Sequence, residues 1–169
     1  DDMPTGGEPE VSDNILSFVE FYSQHLAVPV RRNIDDPMVR AGQVLFQQAG
    51  CATCHRMTMI TGDVADRPEL SKQTIHPYTD LLLHDMGEGL ADHRPEALAS
   101  GFEWRTPPLW GLGYTEEVSG HTQFLHDGRA RNALEAVLWH GGEAEPAQRA
   151  VLQFSASERE ALVAFLNSL

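Results

Sequence analysis

Residues 39–55 read VRAGQVLFQQAGCATCH, an amphipathic stretch that ends in the motif Cys51-Ala-Thr-Cys54-His55. Two thiols at this spacing, presented at the end of a helix, reach the two vinyl groups on one edge of a porphyrin. A histidine directly after them then falls beneath the iron. The motif therefore predicts one covalently attached haem c, with Cys51 and Cys54 as the points of attachment and His55 as an iron ligand.

Two other kinds of site also use a cysteine pair. A thioredoxin-like redox pair lies within an alternation of strands and helices, and the sequence has no convincing β pattern. A structural zinc site needs four Cys or His ligands. The histidines that would complete it are His76, His84 and His93, but their spacing matches no common zinc module. The haem interpretation is therefore favoured over both.

The favoured sixth ligand of the iron is Met86, in the segment LLLHDMGEGL at residues 81–90. Gly87 and Gly89 permit a tight backbone bend over the ring, and methionine with histidine is a standard ligand pair of c-type haem. His84 is the main alternative. An empty position and five further histidines share the remainder: His76, His93, His121, His126 and His140. A strong sixth ligand favours electron transfer, whereas an open position admits peroxide.

Three residues of one loop segment are predicted to surround the haem. Arg105 is the candidate donor to the haem propionates, because a guanidinium binds a carboxylate through two hydrogen bonds. Trp104 and Trp110 are expected to wall the ring, although ordinary core packing predicts the same positions. The free ring nitrogen of His55 requires a backbone carbonyl as its partner, for which Pro68 is the candidate.

The charge balance limits the partners of the protein. The 169 residues include 12 basic and 25 acidic side chains, a net charge of −13. This excess of negative charge argues against nucleic acid or an anionic membrane surface as the main partner. No run reaches the roughly 18 apolar residues of a transmembrane helix. Residues 1–10 lack the basic start and apolar stretch of a signal peptide, which predicts a mature form, an excised piece or a cytosolic protein.

Apolar periodicity and capping residues predict a helical chain. An N-terminal helix spans residues 12–26, and its apolar face is expected to pack back on the main body. The next helix begins at Asp36 and Pro37 and ends at Gly50. Further helices are predicted at Thr79–His84, over residues 129–140 after an Asp127 cap, at Pro146–Phe154, and after a capping box formed by Ser157 and Glu160.

The same pattern predicts two regions and one helix crossing. Residues 1–35 form a tail and helical arm, and residues 36–169 form a haem domain. Gly42 and Phe46, set against Phe165 in the last helix, would allow two helices to cross closely. The long stretch 59–120 is rich in Pro and Gly and mostly loop-like, which an embedded cofactor would explain, because loops can pack on it.

Three longer stretches resemble known haem proteins. The stretch VRAGQVLFQQAGCATCH, with the terminal amphipathic helix, resembles the class I cytochrome c fold. Residues 106–144, TPPLWGLGYTEEVSGHTQFLHDGRARNALEAVLWHGGEA, resemble the C-terminal haem domain of the bacterial di-haem cytochrome c peroxidase superfamily. The stretches HPYTDLLLHDMGEGLAD and EWRTPPLWGLG are most similar to its di-haem oxidoreductase branch, also labelled thiol oxidoreductase. The resemblance covers Asp13 to Leu169.

This resemblance implies an all-α, class I cytochrome c-like fold and a periplasmic, exported bacterial protein. The main functional hypothesis is a monohaem cytochrome that passes single electrons between redox protein partners or to an upstream haem domain. The alternative is a peroxidase-like or di-haem oxidoreductase enzyme with His84 or His126 as the acid–base group, assisted by Asp85 or Glu88. A haem-based sensor is a third hypothesis. Family enzymes carry two C-x-x-C-H motifs, whereas this chain has one.

Overall fold

The computed structural model describes residue 7 and residues 9–169, so the predicted tail at residues 1–10 lies largely outside the described residues. The helices are α1 Asp13–Gln24, α2 Pro37–Gln48, α3 Thr115–Ser119, α4 Ala133–Leu138, α5 Glu145–Gln153 and α6 Ala156–Leu166. The strands are β1 Met59–Ile60, β2 Thr74–Ile75, β3 Leu83–Asp85 and β4 Glu103–Arg105. None of the helices in this described part is long and apolar enough to cross a bilayer.

Helix α2, which leads to the cysteine motif, forms where the sequence predicts it. The Asp36 carboxylate accepts a hydrogen bond from the Met38 amide at 2.7 Å. Pro37 occupies the first helical position, where a missing N–H group costs nothing. The buried side of the helix consists of Val39, Gly42, Leu45 and Phe46.

The core lies where α2 crosses α6, and the predicted crossing is confirmed. A Cβ atom at Gly42 would overlap with the carbonyl oxygen of Ala161 and would lie 2.7 Å from the Cβ atom of Phe165. The rings of Phe46 and Phe165 lie 5.2 Å apart, and both side chains are almost completely buried. Tyr78 joins them edge-on, with its ring centre 6.0 Å from that of Phe165. Glycine at position 42 therefore sets the distance between the two helices.

Two antiparallel strand pairs overturn the predicted fold class. β1 pairs with β2, and β3 pairs with β4. The expectation of an all-α, class I cytochrome c-like fold is therefore wrong, since two small sheets accompany the helices. Each strand has only two or three residues, which is too short for a visible alternation of apolar and polar side chains. Backbone hydrogen bonds between segments distant in sequence hold the pairs together.

The helix predicted at Thr79–His84 is replaced by an irregular turn that leads into β3. The backbone of Leu81 is left-handed, with φ of 62°, a conformation that an α-helix of L-residues does not contain. The buried Thr79 hydroxyl donates to the carbonyl of Thr106 at 2.6 Å and accepts from the Leu81 amide at 2.9 Å. A side chain that bonds the local backbone in this way competes with helix formation.

Helix α1 confirms the helix predicted at residues 12–26 but not its packing, because none of its residues is buried. The exposed apolar side chains include Ile15, Leu16, Phe18, Val19 and Tyr22. The segment after α1 is anchored instead. The Arg32 amide donates to the Ser168 carbonyl at 2.9 Å, and its guanidinium lies 4.2 Å from the ring centre of Tyr114. The boundary at residue 35 stays a prediction.

Helix α6 begins two residues earlier than predicted. Its capping box is formed by Ser155 and Glu158, whose side chains bond each other's backbone amides, and not by Ser157 and Glu160. Both pairs have the spacing S-x-x-E, so the motif by itself is compatible with either start. The tertiary position of the helix decides between them.

Helix α4 is shorter than the predicted span 129–140 and has a different cap. Asn132 accepts a hydrogen bond from the Glu135 amide at 2.8 Å. The predicted cap, Asp127, instead accepts from the amide and the guanidinium of Arg129. These bonds close a turn that precedes the helix, because a short Asp side chain bonds the backbone two residues later as readily as it caps a helix.

Candidate haem-binding site

The two cysteines lie on a single 3₁₀ turn, Cys51–Thr53, directly after α2. Gly50, with φ of 86°, supplies the left-handed residue that ends the helix. Both thiols are free and half-buried. Burial raises the pKa of the Cys51 thiol to about 11. Burial also raises the pKa of Cys54. Reactive redox cysteines have a lowered pKa, so this pair does not resemble a thioredoxin-like site.

His55 is held in the orientation of a metal ligand. Its Nδ1 atom donates a hydrogen bond to the Tyr78 carbonyl at 2.9 Å. The partner predicted from the sequence, Pro68, is therefore wrong, because the chain turns back to the histidine at Tyr78. Burial lowers the pKa of His55 to about 4, so the imidazole is neutral at pH 7. With the proton on Nδ1, the lone pair is on Nε2, as iron ligation requires.

A second buried histidine, His140, lies close to the first. The ring centres of His55 and His140 are 6.5 Å apart. The Nδ1 atom of His140 donates to the Ala136 carbonyl at 2.7 Å, and burial lowers the pKa of His140. The sequence offered this residue only as one of several histidine candidates. Its place at the end of an apolar helix, before Gly141 and Gly142, is the signal that could have singled it out.

An acidic cluster surrounds His84, the main alternative ligand. His84 Nδ1 lies 2.9 Å from a Glu143 oxygen, and Nε2 lies 2.9 Å from an Asp80 oxygen. The hydrogen bond to Glu143, followed by the bond to Asp80, raises the pKa of His84. Both ring nitrogens thus contact carboxylates. This occupation disfavours His84 as an iron ligand and suits a side chain that holds a proton.

Met86 lies on the segment that faces His140. Its amide donates to the Phe102 carbonyl at 2.9 Å, and a Cβ atom at Gly141 would lie 2.9 Å from its carbonyl oxygen. Met86 and His140 both line a surface cavity of about 400 Å³. Met86 as an iron ligand stays a prediction, and the structure brings it beside a second candidate.

The predicted wall residues lie on and after β4. Trp104 pairs across the sheet with His84 and stacks on His126, with ring centres 3.7 Å apart. Its indole Nε1 is buried and has no hydrogen-bond partner among the described residues. Such a donor needs an acceptor, and a propionate oxygen is one of suitable chemistry. Arg105 is exposed and Trp110 is half-buried. Their contacts with a haem stay predictions.

The donor set fits a c-type haem better than a zinc ion. Among the described residues, one group of possible metal ligands forms, in which the ligand atoms of Cys54, Asp80 and His84 lie within 4.8 Å of one another. A structural zinc site needs four ligands. His76 bonds the Thr58 hydroxyl at 3.0 Å, and His93 pairs with a carboxylate elsewhere. Two free thiols followed by a neutral histidine with its Nε2 lone pair available are the groups that haem c requires.

Comparison with known proteins gives one match. The family model described as "Di-haem oxidoreductase, putative peroxidase" matches residues 2–169. Searches of curated proteins and of solved structures found no match. The match spans the motif at residues 51–55, the acidic cluster and the helices that carry them. It agrees with the branch indicated by the sequence resemblance, and the chain belongs to the di-haem oxidoreductase family.

Proposed function

We propose that this chain is a one-haem electron-transfer unit of a di-haem oxidoreductase, with haem c attached to Cys51 and Cys54 and His55 as an iron ligand. The observation that carries the proposal is the hydrogen bond from His55 Nδ1 to the Tyr78 carbonyl. This bond fixes the tautomer and ring orientation of a ligand beside two free thiols. A bound haem supplies one-electron chemistry between ferric and ferrous iron.

The attachment itself needs only groups that the chain contains. Each thiol adds its sulfur and hydrogen across one vinyl double bond, so a C–S bond forms and no oxidant is consumed. The turn Cys51–Thr53 holds the two sulfurs beside His55. Trp104, Trp110 and Arg105 are proposed to line the ring and bind its propionates. The chain has two cysteines, enough for a single haem of this type.

The proposed partners are a redox protein or a second haem domain. A net charge of −13 favours a partner with a basic contact surface. The motif C-x-x-C-H implies attachment of the haem outside the bacterial cytoplasm, so a periplasmic location is part of the proposal.

The test is production of the chain in cells that contain a haem c attachment system. We expect one haem per chain by mass spectrometry and by the pyridine haemochrome assay, and reversible one-electron reduction in a redox titration. The variant Cys51→Ser/Cys54→Ser is expected to lack covalent haem, whereas Thr53→Ala, which keeps the motif, retains it. A colourless wild-type chain with the mass of the bare polypeptide would refute the proposal.

A second candidate function, reduction of peroxide, is supported by the family description and by the contacts of His84. An imidazole between two carboxylates can hold a proton for the reaction H₂O₂ + 2e⁻ + 2H⁺ → 2H₂O. The test is peroxide turnover by the haem-loaded chain with an electron donor. This candidate predicts a loss of 100-fold or more in His84→Gln, from a contribution of about 10²–10⁴ for general acid–base catalysis, and no loss in His121→Gln, a change at an exposed histidine. Negligible turnover by the wild type, or equal turnover by His84→Gln, would exclude this role.

A further inference from the structure

His55 and His140 are the two histidines of this region whose Nδ1 atoms are bound by the backbone. His55 Nδ1 is bonded to the Tyr78 carbonyl at 2.9 Å, and His140 Nδ1 to the Ala136 carbonyl at 2.7 Å. A carbonyl oxygen only accepts, so each Nδ1 atom carries the proton and each Nε2 atom carries the lone pair. Both rings therefore have the tautomer of a metal ligand, with its carbonyl partner in place.

The separation of the two rings matches a single metal between them. A metal–nitrogen bond of about 2 Å, plus roughly 1.1 Å from Nε2 to the ring centre, places the centres of two opposed ligands about 6.3 Å apart. The observed separation of His55 and His140 is 6.5 Å. Direct ring stacking would bring the centres closer, as for Trp104 and His126 at 3.7 Å. The rings of His55 and His140 thus stand at the distance of a ligand pair.

The position of His140 is fixed by the backbone that follows it. Gly142 has φ of 53°, and a Cβ atom there would lie 2.7 Å from the amide nitrogen of Gly87. Gly141 packs against the carbonyl of Met86. Two adjacent glycines therefore let the end of α4 lie directly on residues 85–87. Of the two side chains in this contact, His140 is the one whose ring also lies beside His55.

We propose that His140 is the sixth ligand of the haem iron, opposite His55, in place of Met86. The inference rests on the proposed function, because it requires the haem at residues 51–55. Two strong imidazole ligands close the iron to peroxide and favour electron transfer. They also hold the reduction potential below that of a methionine–histidine pair. Met86 then packs beside the ligand and does not bind iron.

The test uses the haem-loaded chain and reads the iron directly by absorption and electron paramagnetic resonance spectroscopy. The wild type is expected to be low-spin in the ferric state and to lack the weak band near about 695 nm that marks a methionine ligand. His140→Ala is expected to become high-spin, and added imidazole is expected to restore the low-spin spectrum. His140→Met is expected to gain the 695 nm band and a higher potential. Met86→Leu and the matched control His93→Ala, at an exposed histidine, are expected to retain the wild-type spectrum.

The outcomes separate this inference from the proposed function. A chain without covalent haem would refute the proposed function before the ligand question arises. A haem-loaded wild type with a 695 nm band that disappears in Met86→Leu would refute only the inference about His140. An unchanged low-spin spectrum in His140→Ala would refute it as well. If His140→Ala does not accumulate, His140→Met provides the test, because an unchanged potential and spectrum in that variant would also exclude His140.

Discussion

Replacement of Gly42 by alanine should destabilise the helix crossing on which the haem motif is built. The added Cβ atom would overlap with the Ala161 carbonyl oxygen and would lie 2.7 Å from the Phe165 Cβ atom. Both neighbours belong to α6, and one is backbone, so the two helices must move apart. Overpacking of a core costs about 1–3 kcal/mol, and the rigid carbonyl puts this site near the upper end. Alanine regains about 1 kcal/mol through its helix propensity. The expected net loss is therefore about 2 kcal/mol in the free energy of unfolding.

The assay for Gly42→Ala is urea unfolding of the haem-loaded chain, followed by circular dichroism. A loss of 2 kcal/mol corresponds to a decrease of roughly 4–8 °C in the melting temperature of a domain of this size. The matched control is Gly62→Ala, since no atom lies within 4 Å of a Cβ atom at that position. Equal stability of Gly42→Ala and wild type would refute the close crossing of α2 and α6.

Three further predictions concern the same scaffold. Phe165→Ala should lower the free energy of unfolding by about 3–5 kcal/mol, because the ring is 0% exposed, whereas Leu98→Ala, at a fully exposed side chain, should leave the urea midpoint unchanged. Asn132→Ala should cost about 1 kcal/mol through loss of the α4 cap, measured by thermal unfolding, and a larger loss in Asp127→Ala would contradict the observed cap. The hydrogen bonds from Ser155 hold the pKa of Glu158 below its ordinary 4.5. This carboxylate therefore stabilises the fold above pH 4.5 and loses its effect as the pH falls through the lowered value, so Glu158→Gln should remove that part of the acid dependence in a pH series of unfolding curves.

Membership of the di-haem oxidoreductase family and the presence of two cysteines together define the functional question. The family pairs two haems, and this chain offers one attachment motif. An electron-transfer unit needs a closed iron and a contact surface for a redox partner, whereas a peroxidase needs an open iron and a proton donor. The proposed ligand His140 and the proton-holding His84 stand for these two demands. The spectra of the two variants therefore distinguish the two functions.

The short-range features of the site were predictable because they depend on residues close together in sequence. The spacing of Cys51, Cys54 and His55, the Asp36 cap and the glycine at position 42 each act within one helix or turn. The carbonyl partner of His55 was not predictable, since Tyr78 reaches it only through the irregular turn around Leu81. His140 was indistinguishable in sequence from the other histidines, because its signal is a distance to His55.

The sequence by itself determined the haem motif, its family and the helix that presents the motif, because each is written in local spacing and periodicity. The tertiary structure alone decided which histidine faces His55, which carboxylates surround His84 and which segments pair as strands. These contacts join residues far apart in the chain. Their formation depends on backbone hydrogen bonds and on the close approach at Gly141 and Gly142, and neither leaves a periodic trace in the side chains.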